Sequence, residues 1–457
     1  MLWDRSYSES RTTDVPAMLL ELLSHQNFAD MKYGLDPSFR FTVSRAVYKG
    51  ILKYLACRYG VPYVVQPLPV HSFSVQFAGL GEVVLKWLPG VDELEPTAKP
   101  RGYTVFTKVD DGAFDDGVSV LGAEALMHIE PGHVYSWKVV AWNDGGCSFP
   151  SEVLSAGVPA SGYSGGAVLV VNNFDRVAAP AWIDKPDYAG FESRLDPGMP
   201  YIRDICFIGE NYEFRRDTEW KSDDAPGFGG SYSDYAGTVV AGNTFDYPAV
   251  HGESLLKLGK AFCSMSSEAF CADTALVSGY SGLDLICGAQ LSTKIGSGAF
   301  PVRFRVFPEA MQTAVRAWSR AGGNILISGS RIATDVWSAV YDFVPDEEAA
   351  AKTKDFVQDV LGYKWASSYG TNVGTVGGMP FYSTYNPEHY CVMHPDGLGP
   401  AKDGASVWLR YGNSAVPAAV RYKSASNKVV SIGVPIECLK SSSDRDRIFR
   451  ETFEYFD

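Results

Sequence analysis

Glu21, Ser330 and His251 are the side chains whose types and settings point to chemistry. Glu21 follows Val15-Pro16-Ala17-Met18-Leu19-Leu20, an apolar run that reads as a buried strand delivering a carboxylate at its end. A carboxylate so placed works as a general base, or it caps a helix. Ser330 stands in Ile327-Ser328-Gly329-Ser330-Arg331, where a strand gives way to a helix. It is a nucleophile if His251 or His389 comes within hydrogen-bond reach and a carboxylate orients that ring. Gly-Ser at such a turn also satisfies free helix amides without any chemistry. Asp246, Tyr247 and His251 in TFDYPAVHGESLLKLG line a pocket beside that turn, or His251 caps a helix that starts near Glu253. Asp175 ends Asn172-Asn173-Phe174-Asp175, just past an apolar strand, where α/β sheets receive their ligands.

The elements that must position these residues follow from periodicity. Ala167-Val168-Leu169-Val170-Val171 is continuously apolar, as a strand of a parallel sheet covered on both faces has to be. GTVVAGN, LDLICGAQ and NILISGS follow as further strands. Between the last two, PEAMQTAVRAWSRAGG has a proline start, a glycine stop and an apolar stripe of Met311, Ala314, Val315 and Trp318. SVWLRYG, AAVRYKS and KVVSIGVPIECL alternate as strands with hairpin turns at Tyr411-Gly412-Asn413 and Ser426-Asn427, and SSSDRDRIFRETFEYF closes as a helix capped by Ser or Asp. Residues 165–457 therefore form a doubly wound α/β domain with accessible loops at the carboxyl ends of its strands.

Residues 185–236 are a long Gly/Asp-rich stretch dense in Tyr, Trp and Phe. Ring faces that stack and polar groups that take hydroxyls suit a saccharide, and the same residues also suit the cover of a sheet edge. Lyase chemistry on a uronate would need a base beside a group neutralising the carboxylate, and no motif supplies that pair.

Upstream the grammar differs. Tyr59 to Leu68 has two prolines and no periodicity, so 59–68 reads as a linker. Residues 69–159 carry short alternating segments, FSVQF, EVVLKWL, YTVFTKV, ALMHI and VYSWKVVAW, at the spacing of a β-sandwich. Trp87, Tyr103, Val105, Trp137, Val139 and Ala141 fall on inward positions, and Ile129-Glu130-Pro131-Gly132-His133-Val134-Tyr135 is similar to the tyrosine-corner segment of a fibronectin type III module. That resemblance implies a spacing or docking module without catalytic groups, with His128 and His133 at the surface.

Composition bounds the alternatives. The chain has 457 residues, 46% hydrophobic, enough for more than one core. Its net charge of −13 and lack of a basic cluster exclude nucleic acid and disfavour anionic membranes. No run of eighteen apolar residues reads as a membrane span, and MLWDRSYSES lacks the apolar region of a signal peptide. The eight cysteines (57, 147, 206, 263, 271, 287, 391 and 438) have no metal-ligand spacing and read as mostly buried free thiols.

Residues 3–58, with the Val-Pro-x-hydrophobic-hydrophobic-x-Glu run and the helix ending in AVYKGILKYLACRYG, resemble the C-terminal end of zinc-dependent N-acetylmuramoyl-L-alanine amidases. The resemblance implies that residues 1–58 are the tail of an amidase-like α/β domain. It also implies that Glu21 stands beside a zinc held by two histidines and a glutamate upstream of it, serving the zinc-bound water. No histidine precedes His25, which matches no ligand position, so the expectation is no zinc in this chain and no amidase activity from it alone. The ligands and an export signal are then expected upstream of Met1, in a secreted, periplasmic or surface protein whose partner is peptidoglycan or another envelope glycan. Residues 165–457 resemble the class I glutamine amidotransferase-like fold, in an envelope branch often labelled xanthan lyase in genomes. Ser330 takes the elbow place where amidotransferases carry cysteine, and Cys287 lies one strand earlier. The resulting expectation is a multidomain envelope protein with peptidoglycan amide hydrolysis as parent activity. The alternatives are a non-catalytic carbohydrate- or partner-binding protein, and a polysaccharide lyase.

Overall fold

The computed structural model describes all residues except 1–6, 80, 163–165, 187–188, 206–211, 214–229, 232–236, 274–278, 297–300, 338–346 and 413. Much of the aromatic stretch read as saccharide-binding, the hairpin residue Asn413 and Cys206 therefore lie outside the described residues.

The segment Val15–Leu20 does not form the strand read from sequence. It is irregular and open to solvent, with Val15 67% and Met18 71% exposed. An isolated strand has no ladder to complete and no face to bury, and among the described residues no strand pairs with this segment. Two helices follow: α1 (Phe28–Gly34), capped by Asn27, and α2 (Pro37–Tyr59). Asp36 caps α2 by accepting from Ser38 N at 2.9 Å, Pro37 takes the first turn, and Gly60 ends it in the left-handed region at φ 65°.

The alternating segments form a sandwich of β1 (Leu68–Gly79), β2 (Glu82–Gly90), β3 (Gly102–Val109), β4 (Val118–Val120), β5 (Glu124–His128), β6 (Val134–Asn143) and β7 (Leu154–Gly157). β1, β2 and β5 make one antiparallel sheet, and β4, β3, β6 and β7 the other. This is the fibronectin type III arrangement. Trp87 packs edge-on against Tyr103 at 5.3 Å, and Tyr135 Oη accepts from Glu130 N at 3.2 Å, closing the tyrosine corner. His128 and His133 lie at the surface beside Glu82 and Asp110.

In the α/β part, β8 (Ala167–Asn172), β9 (Phe262–Ser266), β10 (Tyr280–Gly288), β11 (Ile325–Gly329) and β14 (Lys428–Ile432) are parallel, and β12 (Ala405–Arg410) and β13 (Pro417–Lys423) extend the sheet antiparallel. Among the five parallel strands the spatial order is second, first, third, fourth, fifth, so the chain reverses direction around β8. GTVVAGN does not join this sheet: Val240–Ala241 pairs instead with Arg203–Asp204. Helices α3 (Tyr247–Lys257) and α7 (Ser442–Phe456) cover one face; α4 (Ser267–Ala272), α5 (Glu309–Arg320) and α6 (Glu347–Phe356) cover the other. On α5, Met311, Ala314, Val315 and Trp318 are buried, as their spacing predicts. At the start of α7, Ser441 Oγ bonds Ser443 Oγ at 2.7 Å and not a backbone amide, so the side-chain cap read from sequence is not made.

The sandwich is no free spacer. β7 pairs antiparallel with β9 (Cys263 opposite Ala156), so the β4-β3-β6-β7 sheet runs on into the parallel sheet. Ser264 Oγ accepts from Ser155 N at 2.7 Å and donates to Ser155 O at 2.8 Å, while Ser155 Oγ bonds Ser136 Oγ at 2.8 Å, all buried. One hydrophobic core includes Trp137, Leu154 and Ala156 together with Leu169, Cys263 and Leu285.

Candidate binding site at the junction

A cavity of about 650 Å³ opens where the sandwich, the N-terminal helices and the α/β loops meet. Asp175 comes from the loop after β8, and Arg303 and Phe304 from the connection after β10. These are the carboxyl ends of the first and third parallel strands, the point where strand order reverses and where open α/β sheets leave a crevice. Phe149 and Pro150 project from the sandwich; Arg40 and Phe41 come from α2.

Its walls carry two aromatic pairs. Phe41 and Phe149 stand 6.1 Å apart, and Tyr201 and Phe245 5.7 Å apart. Phe149 is 53% and Tyr201 47% exposed, so each paired ring leaves part of its surface open. Phe245 (φ 60°) and Phe304 (φ 61°) hold left-handed backbone, as does Ile202 (φ 54°) beside Tyr201. Such conformations cost on the order of 1–3 kcal/mol each in a non-glycine residue, and they gather at ligand sites. Asp175 Oδ1 accepts from Gln290 Nε2 at 2.6 Å. Its side chain opens to solvent through the cavity; the protein packed around it raises its pKa above the usual carboxylate value, against the opposing pull of Gln290 and Arg303.

The α2 wall is anchored from both sides. Asp36 Oδ2 accepts from Gly296 N at 3.0 Å and Arg303 donates to Ser38 at 3.3 Å, while Asp92 of the sandwich takes Arg45 at 2.9 Å and Lys49 at 2.8 Å. Lys32 on α1 bonds Asp184 at 2.7 Å and lies 4.0 Å from the Trp182 ring centroid.

The other residues singled out from sequence are placed apart from this cavity. Glu21 is exposed on the irregular N-terminal segment. Among the described residues no three His, Cys, Asp or Glu side chains converge as metal ligands. His251 lies within α3, which begins at Tyr247, and so does not cap a helix near Glu253. A Cβ at the following Gly252 would stand 1.9 Å from the Phe262 ring, so glycine lets α3 lie directly on β9. His251 Nδ1 pairs with Asp284 at 2.7 Å and Nε2 with Glu437 at 3.3 Å; Tyr390 Oη donates to Glu437 at 2.7 Å. All four are buried. Burial alone would depress the imidazole pKa, but the two carboxylates prevail and raise it to about 9. Burial would likewise raise the Glu437 pKa, yet the bond from His251 holds it below the usual value.

Ser330 does sit at the end of β11, with its Oγ donating to Gly288 O at 3.2 Å. No hydrogen bond joins it to a histidine among the described residues, and both nitrogens of His251 are taken. The space beside Ser330, shared with Arg331, His394 and the Arg176–Asp196 ion pair, measures about 20 Å³, which holds a water and no substrate. Burial and the nearby Arg331 push the His394 pKa down to about 4. Asp246 accepts from Thr244 at 2.6 Å, and the buried Tyr247 bonds Thr244 N at 3.1 Å; neither lines the cavity. Of Asp175, Asp246 and Tyr247, Asp175 reaches the cavity, and the 185–236 stretch adds Tyr201. Arg303, Arg40, Phe41, Phe149 and Phe245 went unrecognised, and Tyr201 lay at the end of the aromatic segment KPDYAGFESRLDPGMPY.

No protein-family model matches this chain, and no curated protein does. Similar solved structures include fibronectin type III domains. The chicken CNTN1 FN1–FN3 structure is 18% identical over 20% of this chain and 31% of its own, with a TM-score of 0.17. A human FNIII domain solved in solution is 27% identical over 22% of this chain and 87% of its own, with a TM-score of 0.19. The FN5 domain of Drosophila Lar is 17% identical over 20% of this chain and 92% of its own, at 0.16. This chain thus spans about a third of the chicken structure. The sandwich itself is established by its strand pairing and the bond between Tyr135 and Glu130.

Proposed function

We propose that this chain is a saccharide-binding protein of the bacterial envelope, with its ligand seated in the junction cavity and no nucleophilic chemistry at Ser330. One observation supports the reading: the partly exposed Phe149 and Tyr201 line, together with Asp175 and Arg303, a cavity of about 650 Å³ at the reversal point of the sheet. Ring faces take the C–H face of a pyranose, and a carboxylate with a guanidinium takes its hydroxyls. The closed space and the engaged hydroxyl at Ser330 support the non-catalytic half of the reading. In titration calorimetry of the full chain against maltotriose, chitotriose and muropeptides, at least one is expected to bind. Tyr201→Ala should weaken that binding several-fold, up to about tenfold. Silence of the wild type toward every saccharide would end the proposal.

Zinc-dependent amide hydrolysis by a larger parent is a separate reading, carried by residues 3–58 and compatible with the exposure of Glu21. Digestion of peptidoglycan by that parent with and without Glu21→Ala tests it; undiminished release of stem peptides by the variant would remove Glu21 from the chemistry.

A further inference from the structure

Two guanidiniums, Arg303 and Arg40, line the same cavity as Asp175 and Asp204, and Arg303 is near enough to Asp175 to favour its charged form without a direct ion pair among the described residues. Arg303 donates to Ser38 Oγ at 3.3 Å and lies 4.8 Å from the Phe304 ring centroid. Arg40 donates through Nε to Gly34 O at 2.6 Å. Among the described residues neither has a carboxylate within 4.0 Å. Two other inward-turned cations of this acidic chain are paired, at Arg45–Asp92 and Arg176–Asp196. A guanidinium is a planar fork of donors that matches a carboxylate with two parallel bonds, and Arg303 keeps most of its donors free. Its guanidinium carbon lies over the Phe304 ring and one terminal nitrogen bonds Ser38, so part of the side-chain freedom is already spent before an anion arrives.

We infer that Arg303, assisted by Arg40, selects saccharides carrying a carboxylate over neutral ones. This rests on the saccharide reading and sharpens it: the aromatic pairs hold the ring and the two guanidiniums hold the acid. A uronic acid and a lactyl ether of an amino sugar present the same group, so the shared chemistry is a carboxylate beside a pyranose ring.

The test is calorimetry on the full chain with paired probes: trigalacturonic acid against its methyl ester and against maltotriose, and N-acetylmuramic acid against N-acetylglucosamine. An acidic probe should bind about tenfold or more tighter than its neutral counterpart, the usual worth of a charge-assisted hydrogen bond. Arg303→Gln should abolish that preference and weaken acidic probes far more than neutral ones, and Arg40→Gln should reduce it. Whichever acidic probe binds tells uronate from lactyl ether. Equal binding of acidic and neutral probes, both lost in Tyr201→Ala, would overturn the carboxylate inference and leave the saccharide reading standing. An acid preference that persists in both Arg303→Gln and Arg40→Gln would also overturn it. If no probe binds at all, the saccharide reading falls and takes this inference with it.

Discussion

His251 shows how a residue with catalytic credentials serves the fold. Between Asp284 and Glu437 it carries the only positive charge of a buried trio, and deleting it would leave two carboxylates facing each other out of water. His251→Gln is expected to lose about 3–5 kcal/mol of stability, read from the urea midpoint. The pH dependence has a definite sign. The folded pKa of about 9 exceeds the ordinary 6.5, so the native state holds an extra proton between them. The His251 contribution is complete below 6.5 and is lost as pH rises through 9, a slope that His251→Gln should remove. Glu152 acts in the same direction from another cause. Desolvation raises its pKa from 4.5 to about 8, so the native state keeps that proton and loses stability as pH rises across the interval. Among the described residues Glu152 Oε2 accepts from Asn172 Nδ2 alone, at 2.7 Å, a bond that an amide oxygen can also accept. Glu152→Gln should therefore flatten the 4.5–8 part of the profile; an unchanged profile would place the proton elsewhere.

At the scale of elements, the seam between β7 and β9 is where the architecture departs from beads on a string. The Ser264 hydroxyl answers both the amide and the carbonyl of Ser155. Ser264→Ala leaves two buried backbone groups unmet and should cost about 1–3 kcal/mol. Calorimetry should still show a single transition, because the two parts share a sheet and a core; two separated transitions would count against that coupling. At the other edge, Asp36→Ala removes a helix cap and the bond to Gly296, and should cost about 1–2 kcal/mol. Faster hydrogen exchange at the Ser38 and Gly296 amides would report it.

Elements with strong local signals were legible in the sequence. The apolar run at 167–171 and the stripe of α5 follow from spacing alone, and the corner at Tyr135 from the resemblance of its segment to a fibronectin type III module. β9 was not legible: Phe262-Cys263-Ser264-Met265-Ser266 is half polar, and it is a strand because both its neighbours supply ladders and Ser264 finds a buried partner. The Val15–Leu20 strand failed for the opposite reason, an apolar pattern with no neighbour to pair with. The cavity was legible only at Asp175 and in the aromatic stretch that ends at Tyr201. Phe41, Phe149, Phe245 and Arg303 are distant in sequence, and nothing local marks them as neighbours.

For the whole molecule, the site is a product of assembly. Three parts of the chain each give one wall, and the reversal of strand order around β8 provides the floor. Among the described residues no helix is long and apolar enough to cross a membrane.

The shared β7–β9 ladder has a practical corollary for dissecting this protein. Cutting the polypeptide at residue 160, the natural place for anyone expecting a detachable module, would split one pleated surface along its hydrogen-bonded rows. Each half would bear a raw margin of unsatisfied amides and carbonyls beside freshly bared apolar side chains, which is the recipe for sticky, fibril-prone fragments. Sandwich and α/β part should be produced together.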